Sequence, residues 1–167
     1  APQTKILYLN ADQMTAEKKL ELSSYVKCER PLIMAVCEVK PKNSAKKLTE
    51  EDYKIEDYVL HHVNLSNEEP GRGIAVYTHL SISKSVTQVY LENNFQEACL
   101  LEIRLRGGDT LLFACCYRSP TPSPSSAENN DRLNELFKVI YSRKYSHRCI
   151  VGDFNYPSID WDFLIGN

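Results

Sequence analysis

The sequence predicts an α/β fold from three observations. Several apolar runs, of which residues 31–38 form the clearest, are typical of strands buried on both faces of a sheet. Two segments with helical character, at 16–28 and around 133–141, separate such runs. Several strands also end in polar side chains, and α/β proteins commonly place their chemistry at such strand ends. Together these observations favour sheets covered by helices, with a polar cleft where the strands end.

The first half of the chain opens with a strand, a polar turn and a helix. Residues 5–10 form the predicted strand, and Thr15 is placed to cap a helix over 16–28. The buried strand at 31–38 then ends in the carboxylate of Glu38. A loop at 40–47 and a short strand at Tyr58–Val63 come next. A second loop at 64–71 then leads to a further strand at 73–79.

Glycine and proline residues mark the turns and loops in the second half of the chain. Residues 97–106 and Thr110–Tyr117 are predicted as an antiparallel pair, because Gly107-Gly108-Asp109 suits a tight hairpin turn. An irregular loop over 119–126 contains three prolines and leads into an amphipathic helix, and the last strand runs over 148–152. The helix carries apolar side chains at helical spacing: Leu133, Leu136, Phe137, Ile140 and Tyr141.

Composition narrows the class of protein. With 167 residues the chain has room for one domain with a buried core, and no run reaches the roughly 18 apolar residues that a membrane span needs. The net charge of −2 provides no global positive field, so a nucleic acid would be held by local basic patches or by metal. The six cysteines form no Cys-x-x-Cys motif, which favours free thiols in an intracellular protein, nuclear or cytoplasmic.

The segment Gly152-Asp153-Phe154-Asn155 is the strongest candidate for a site. Asp153 and Asn155 lie two residues apart at an extended strand end, so their side chains point to the same side and both could face one phosphate or metal ion. The two side chains could instead cap the bend at which the chain leaves the strand.

Other strands end in side chains of similar chemistry. These residues are Asn10 with Asp12, Glu38, and Tyr117 with Arg118. Mg²⁺ takes oxygen ligands, binds proteins through one or two carboxylates, and keeps its other positions for water and substrate phosphate. The set therefore indicates a site for a phosphate and a hard cation.

Five segments, in order along the chain, carry a family resemblance. They are Ile-Leu-Tyr-Leu-Asn-Ala-Asp at 6–12, Ala-Val-Cys-Glu at 35–38, Arg-Gly-Ile-Ala-Val-Tyr at 72–77, Cys-Tyr-Arg-Ser-Pro at 116–120, and Ile-Val-Gly-Asp-Phe-Asn-Tyr-Pro-Ser-Ile-Asp-Trp at 150–161. They resemble the endonuclease/exonuclease/phosphatase superfamily, and more narrowly the apurinic-endonuclease-like domain of non-LTR (LINE-type) retrotransposons. The resemblance implies one domain over residues 1–167 with a four-layer α/β sandwich, in which two mixed sheets face each other and helices lie outside.

The resemblance also implies roles in the hydrolysis of a DNA phosphodiester. Glu38, assisted by Asp12, would hold Mg²⁺, or alternatively Mn²⁺, and Asp153 would orient or deprotonate the attacking water. Asn10 and Asn155 would donate hydrogen bonds to the phosphate or fix their neighbouring carboxylates. DNA is the implied partner, and no membrane is expected.

Structural alternatives stay open for individual residues. Tyr117 would hydrogen-bond a phosphate oxygen but could serve only in packing. The resemblance implies that Arg118 and Asn155 contact phosphate, but Arg118 could instead support the proline loop. Asn10 could cap the first helix, and Glu38 could be a solvated strand end.

The resemblance also implies a late Asp and a closing Ser-Asp-His segment, which these 167 residues do not contain. We therefore expect an impaired endonuclease, incomplete at its C-terminus, from a retrotransposon or a gene derived from one. An open sheet edge would favour self-association or marginal stability. Two alternatives are a catalytically inactive binding module domesticated from such an element, and a related phosphoesterase acting on a small phosphate.

Overall fold

The computed structural model describes residues 4–43, 48–65, 71–120, 126–157, 159, 160 and 162. In this part of the chain eight strands form two four-stranded sheets. The strands are β1 Ile6–Asn10, β2 Ile33–Cys37, β3 Tyr58–Val63, β4 Ile74–His79, β5 Val86–Val89, β6 Ala98–Arg104, β7 Thr110–Tyr117 and β8 His147–Asp153. The helices are α1 Ala16–Glu29, α2 Glu50–Tyr53 and α3 Ser126–Ser142, and 3₁₀ turns lie at Leu80–Ser85 and Arg106–Gly108.

Both sheets are mixed, as the sequence predicts. The first has strand order β1-β2-β4-β3 and the second has β5-β6-β7-β8. β1 pairs in parallel with β2, and β7 pairs in parallel with β8, while the other pairings are antiparallel. Each sheet therefore has one parallel pair at its edge, and the carboxyl ends of each pair lie side by side.

Three apolar clusters join the layers. The central cluster lies between the sheets and includes Ala35, Val76, Leu101 and Phe113. A second cluster packs α1 against the outer face of the first sheet, and a third packs α3 against the outer face of the second. This helix, sheet, sheet, helix arrangement confirms the predicted four-layer α/β sandwich.

Local sequence explains how α1 begins and ends. The Thr15 hydroxyl accepts a hydrogen bond from the backbone N–H of Lys18 at 3.2 Å, which caps the helix as predicted. Arg30 ends the helix in the left-handed conformation, with φ of 46°. The chain then enters β2, whose five residues are all buried, in agreement with the apolar run.

Some predictions differ from the structure. β5, α2 and the 3₁₀ turn at Leu80–Ser85 were not predicted, because these short segments lack a clear apolar period. The glycine turn between β6 and β7 is a 3₁₀ turn rather than a tight hairpin turn. Tyr141, predicted on the apolar face of α3, is 69% exposed, and the Arg148 guanidinium lies over its ring.

Trp161, whose large apolar ring predicts a place in the core, lies outside the described residues. Parts of the three predicted loops, at 44–47, 66–70 and 121–125, also lie outside them. In the described part of the chain, no helix combines the length and apolar character needed to cross a membrane.

Candidate active site

Strand alternation brings polar groups from both sheets to one place. Successive residues of a strand point to opposite faces, so a residue two positions beyond a core side chain faces the same layer. The side chains of Tyr8, Cys115 and Val151 belong to the central cluster. Two positions further along the same strands lie Asn10, Tyr117 and Asp153. The three polar groups thus continue the layer between the sheets at the carboxyl ends of β1, β7 and β8.

The side chain of Asn10 joins two carboxylates. Its amide nitrogen donates to Oε1 of Glu38 at 2.7 Å and to Oδ2 of Asp153 at 2.8 Å. Its Oδ1 accepts from the backbone N–H of Asp12 at 2.9 Å. Because Thr15 caps α1, the helix-capping alternative for Asn10 is wrong. Asn10 instead connects the ends of β1, β2 and β8 across the two sheets.

Glu38 reaches this cluster through an unusual backbone conformation. Its φ of 54° lies in the left-handed region, which residues other than glycine adopt infrequently. The backbone N–H of Gln13 donates to the Glu38 carbonyl at 2.8 Å, and that of Met14 donates to Val39 at 2.9 Å, so the β1–α1 connection holds this turn. Such conformations persist where surrounding contacts fix them, often at functional sites. Glu38 is half-buried and bonded to Asn10 rather than a fully solvated strand end.

Tyr117 adds a phenol to the cluster. The residue is 5% exposed and packs in the central core. Burial, followed by the negative charge of Glu38 and a hydrogen bond to it, raises the pKa of the phenol. A phenol with a raised pKa keeps its proton at neutral pH and can donate a hydrogen bond. Tyr117 therefore combines packing with a polar group in the site.

Asp153 fixes the bend after β8, which is one of its two predicted alternatives, while its role in a phosphate or metal site stays a prediction. One carboxylate oxygen, Oδ2, accepts from Asn10, and the other, Oδ1, accepts from the backbone N–H of Asn155 at 3.2 Å. The carboxylate therefore fixes the bend after β8 and faces the cluster at the same time. The Asn155 amide nitrogen donates to the Arg118 carbonyl at 2.8 Å, so this side chain holds the β7 and β8 ends together. A direct contact of Asn155 with phosphate stays a prediction.

Gly152 permits the close pairing of β7 and β8 that positions Asp153. A Cβ added at Gly152 would collide with the carbonyl oxygen of Cys116 and lie 2.9 Å from its carbonyl carbon. Backbone atoms cannot move aside as a flexible side chain can, so a larger residue would separate the strands. The glycine is therefore needed for the close approach of β7 and β8.

Arg118 is 6% exposed, and its guanidinium contacts protein groups. Nε donates to Asn130 Oδ1 at 2.7 Å, and one terminal nitrogen donates to the backbone carbonyls of Phe154 and Asn155. The guanidinium carbon lies 4.3 Å from the centroid of the Tyr156 ring. These contacts join Arg118 to α3 and to the segment after β8 rather than to the proline loop, and phosphate binding by Arg118 stays a prediction.

Asp12 lies beside the cluster, and its carboxylate pairs with the ammonium of Lys42. The hydrogen bond from Lys42 lowers the pKa of Asp12, and the charges of Lys42 and Lys18 act in the same direction. Sequence reasoning missed these two lysines, because an exposed lysine in a polar segment is most often solvated. The signal that distinguishes them is a tertiary contact.

The donor set fits a hard divalent cation. Glu38 and Asp153 present carboxylate oxygens to one nitrogen of Asn10, which places two carboxylates close together. Within the described ranges, no group of three His, Cys, Asp or Glu side chains could hold a metal ion. A cation here would therefore take one or two protein carboxylates and complete its shell with water and substrate oxygens, as Mg²⁺ commonly does.

Several solved structures have a similar fold. D. rerio TDP2 complexed with single strand DNA product gives a TM-score of 0.60 at 15% identity, covering 91% of this chain and 60% of that chain. A Bacteroides thetaiotaomicron mannosyl-6-phosphatase gives 0.60 at 11% identity, covering 96% and 68%. An AP endonuclease from Archaeoglobus fulgidus gives 0.58 at 14% identity, covering 95% and 60%. This chain thus spans 60% to 68% of the length of these three structures.

A comparison with protein families gives a match over nearly the whole sequence. The profile of the Endonuclease/Exonuclease/phosphatase family matches residues 9–166. No curated protein matches the sequence at a significant level. The match spans both sheets and all the polar strand ends described above. On this basis, the chain belongs to the endonuclease/exonuclease/phosphatase family.

Proposed function

We propose that the protein is a Mg²⁺-dependent DNA endonuclease that hydrolyses a phosphodiester and nicks its substrate. The observation that carries this proposal is the contact of Asn10 with both Glu38 and Asp153, at 2.7 and 2.8 Å. It places a candidate metal ligand and a candidate general base from different sheets beside one another. The sequence motifs further support an origin in a non-LTR retrotransposon or a gene derived from one.

In this proposal each group of the cluster has a distinct task. Glu38 would hold Mg²⁺, or Mn²⁺, and the ion would withdraw charge from the scissile phosphate. Asp153 orients the attacking water and accepts its proton, a contribution typically of about 10²–10⁴ in rate. Tyr117 donates a hydrogen bond to a phosphate oxygen, and Asn10 keeps the two carboxylates in register.

The similar structures are consistent with this chemistry. One holds a single strand DNA product and another is an AP endonuclease. We infer that DNA is the partner, held by local basic side chains, since the net charge of −2 offers no global attraction. We further propose a nuclear or cytoplasmic location and self-association through the edge strands of the sheets.

A plasmid-nicking assay with Mg²⁺ tests the activity. We expect the unaltered chain to nick supercoiled DNA and the Asp153→Ala variant to lose at least about 10² in rate, since the general base is removed. Asp109→Ala is the matched control, because Asp109 is exposed and adjoins the opposite end of β7. It should nick at the unaltered rate.

Two other results would contradict the proposal. Nicking that persists in Asp153→Ala would remove Asp153 from the reaction. Absence of nicking in the unaltered chain, with DNA binding retained, would favour the inactive binding module.

A phosphoesterase acting on a small phosphate is the second candidate activity. It is favoured by the mannosyl-6-phosphatase, whose fold is as similar as that of the DNA-bound structure, with a TM-score of 0.60 in each case. Hydrolysis of a sugar phosphate by the unaltered chain, lost in Asp153→Ala and faster than plasmid nicking, would select this activity.

A further inference from the structure

Two lysines lie beside the carboxylate cluster on the side of β1. The ammonium of Lys42 pairs with the carboxylate of Asp12. The ammonium of Lys18 donates to the carbonyl oxygens of Ala11 and Asp12, at 2.6 and 3.1 Å. Both lysines therefore converge on the two residues that directly follow Asn10.

The backbone fixes this arrangement relative to the candidate active site. The backbone N–H of Asp12 donates to Asn10 Oδ1, and the backbone N–H of Lys42 donates to the side-chain oxygen of Gln13 at 3.3 Å. Asp12 and Gln13 both have positive φ, of 44° and 64°, so the turn that carries them departs from ordinary strand or helix geometry. Lys42 is thus joined through Asp12 to the residue that contacts Glu38 and Asp153.

Electrostatics place Lys42 near the candidate metal ligand as well. The hydrogen bond and charge of Asp12 raise the pKa of the Lys42 ammonium, and the charge of Glu38 adds to this effect. The Lys42 side chain is 56% exposed, and an ammonium carries three N–H donors, so the pairing with Asp12 leaves donors that a ligand can reach.

The local charge balance favours an anionic ligand. Asp12 contributes one negative charge, whereas Lys42 and Lys18 contribute two positive charges, so this corner of the cleft is net positive beside the anionic pair Glu38 and Asp153. A DNA strand crossing the cleft presents phosphates on both sides of the scissile one. A phosphate beside the scissile one would meet the two ammonium groups rather than the carboxylates.

We propose that Lys42, together with Lys18, contacts a phosphate of bound DNA next to the scissile phosphate, and that Asp12 acts as a positioning residue that holds Lys42 for this contact. The inference rests on the proposed endonuclease function. It differs from the metal-ligand role expected for Asp12, and the two assignments predict different measurements.

DNA affinity without metal tests the role of Lys42. Binding of a fluorescein-labelled DNA duplex is measured by anisotropy in EDTA, over a series of salt concentrations. Lys42→Ala should weaken binding about 3–10-fold and reduce the slope of log K against log salt by about 0.9, since one phosphate contact is lost. Lys42→Arg, which keeps the charge, should restore most of the affinity.

Lys54→Ala is the matched control. Lys54 is also 56% exposed and also pairs with a carboxylate, that of Glu51, but it precedes the end of β3 that lies away from the cleft. This variant should leave the affinity and the salt slope unchanged. If Lys42→Ala and Lys54→Ala bind DNA equally well, the inference is overturned while the proposed endonuclease function stands.

Two measurements test the role of Asp12. They are the Mg²⁺ dependence of nicking, and Mg²⁺ binding measured by calorimetry. Asp12→Asn should leave the half-saturating Mg²⁺ concentration unchanged, whereas Glu38→Gln should raise it about tenfold or more. An equal rise in both variants would make Asp12 a metal ligand and overturn its positioning role. If the unaltered chain neither binds nor nicks DNA, the proposed function itself fails, and this result is distinct from both others.

Discussion

At the scale of single residues, one carboxamide organises the candidate active site. The amide nitrogen of Asn10 donates both its protons, to Glu38 and to Asp153, and the side-chain oxygen accepts from the backbone of Asp12. A carboxylate at this position could accept but not donate, and it would add a third negative charge to the pair. The chemistry of the site therefore requires an amide here.

The phenol of Tyr117 gives a prediction at the same scale. Tyr117→Phe keeps the buried ring but removes the hydroxyl that would donate to a phosphate oxygen of the substrate, so we expect nicking to fall by about 10²–10³, the effect typical of losing one preorganised donor. Because burial and neighbouring negative charge raise its pKa, this donor should persist in the unaltered chain from pH 7 to 9. Initial nicking rates across this pH range measure both effects.

Tyr77→Phe is the control for that measurement. The Tyr77 hydroxyl donates to the Tyr53 carbonyl at 2.7 Å, in the cluster on the outer face of the first sheet. Its loss should lower stability by about 1 kcal/mol without changing the nicking rate. A Tyr117→Phe variant as active as Tyr77→Phe would restrict Tyr117 to packing.

At the scale of elements, the site depends on how closely β7 and β8 pair. The two strands run parallel from Leu111 opposite His147 to Tyr117 opposite Asp153, and the Arg118 N–H extends the pairing to the Asp153 carbonyl at 2.8 Å. Tyr117 and Asp153 are therefore held side by side by backbone hydrogen bonds. Their relative position follows from strand register rather than from contacts between their side chains.

Gly152→Ala tests this dependence. The added methyl group meets the backbone of Cys116, so we expect the variant to lose about 2–4 kcal/mol in the free energy of unfolding, a large value for one methyl group. Gly107→Ala is the control, because nothing lies within 4 Å of its added methyl group and only its φ of 84° opposes the change. Its cost should be near 1 kcal/mol. Urea unfolding of both variants provides the comparison, and equal costs would contradict the close-approach argument.

At the scale of the whole molecule, one strand of each parallel pair lies at the edge of its sheet in the described part of the chain. β1 and β8 occupy these positions, with β2 and β7 as their inner neighbours. The β8 edge adjoins an apolar groove of about 930 Å³, which Phe137, Ile150 and Tyr156 help to line. Unpaired strand edges beside apolar surface favour association with other chains.

We therefore predict self-association that increases with protein concentration. Sedimentation velocity from about 1 to 100 μM should show a rising mean sedimentation coefficient, and Ile150→Lys, which places a charge on the β8 edge, should reduce it. Leu20→Lys is the control, because Leu20 is 70% exposed on α1 and does not line the groove at the β8 edge. A monomer over the whole range, with a sharp thermal transition, would contradict this prediction.

The amino-acid sequence alone predicts the α/β class, most strand positions and most residues of the candidate site. These features are local: apolar runs and strand alternation mark the strands, and polar residues at their ends mark the cleft. Three contacts are visible only in the folded chain: Asn10 joins Glu38 to Asp153, Asp12 pairs with Lys42, and the Arg118 guanidinium binds backbone carbonyls. Asn10 and Asp153 are separated by 143 residues, and local sequence carries no information on how facing sheets align such distant groups.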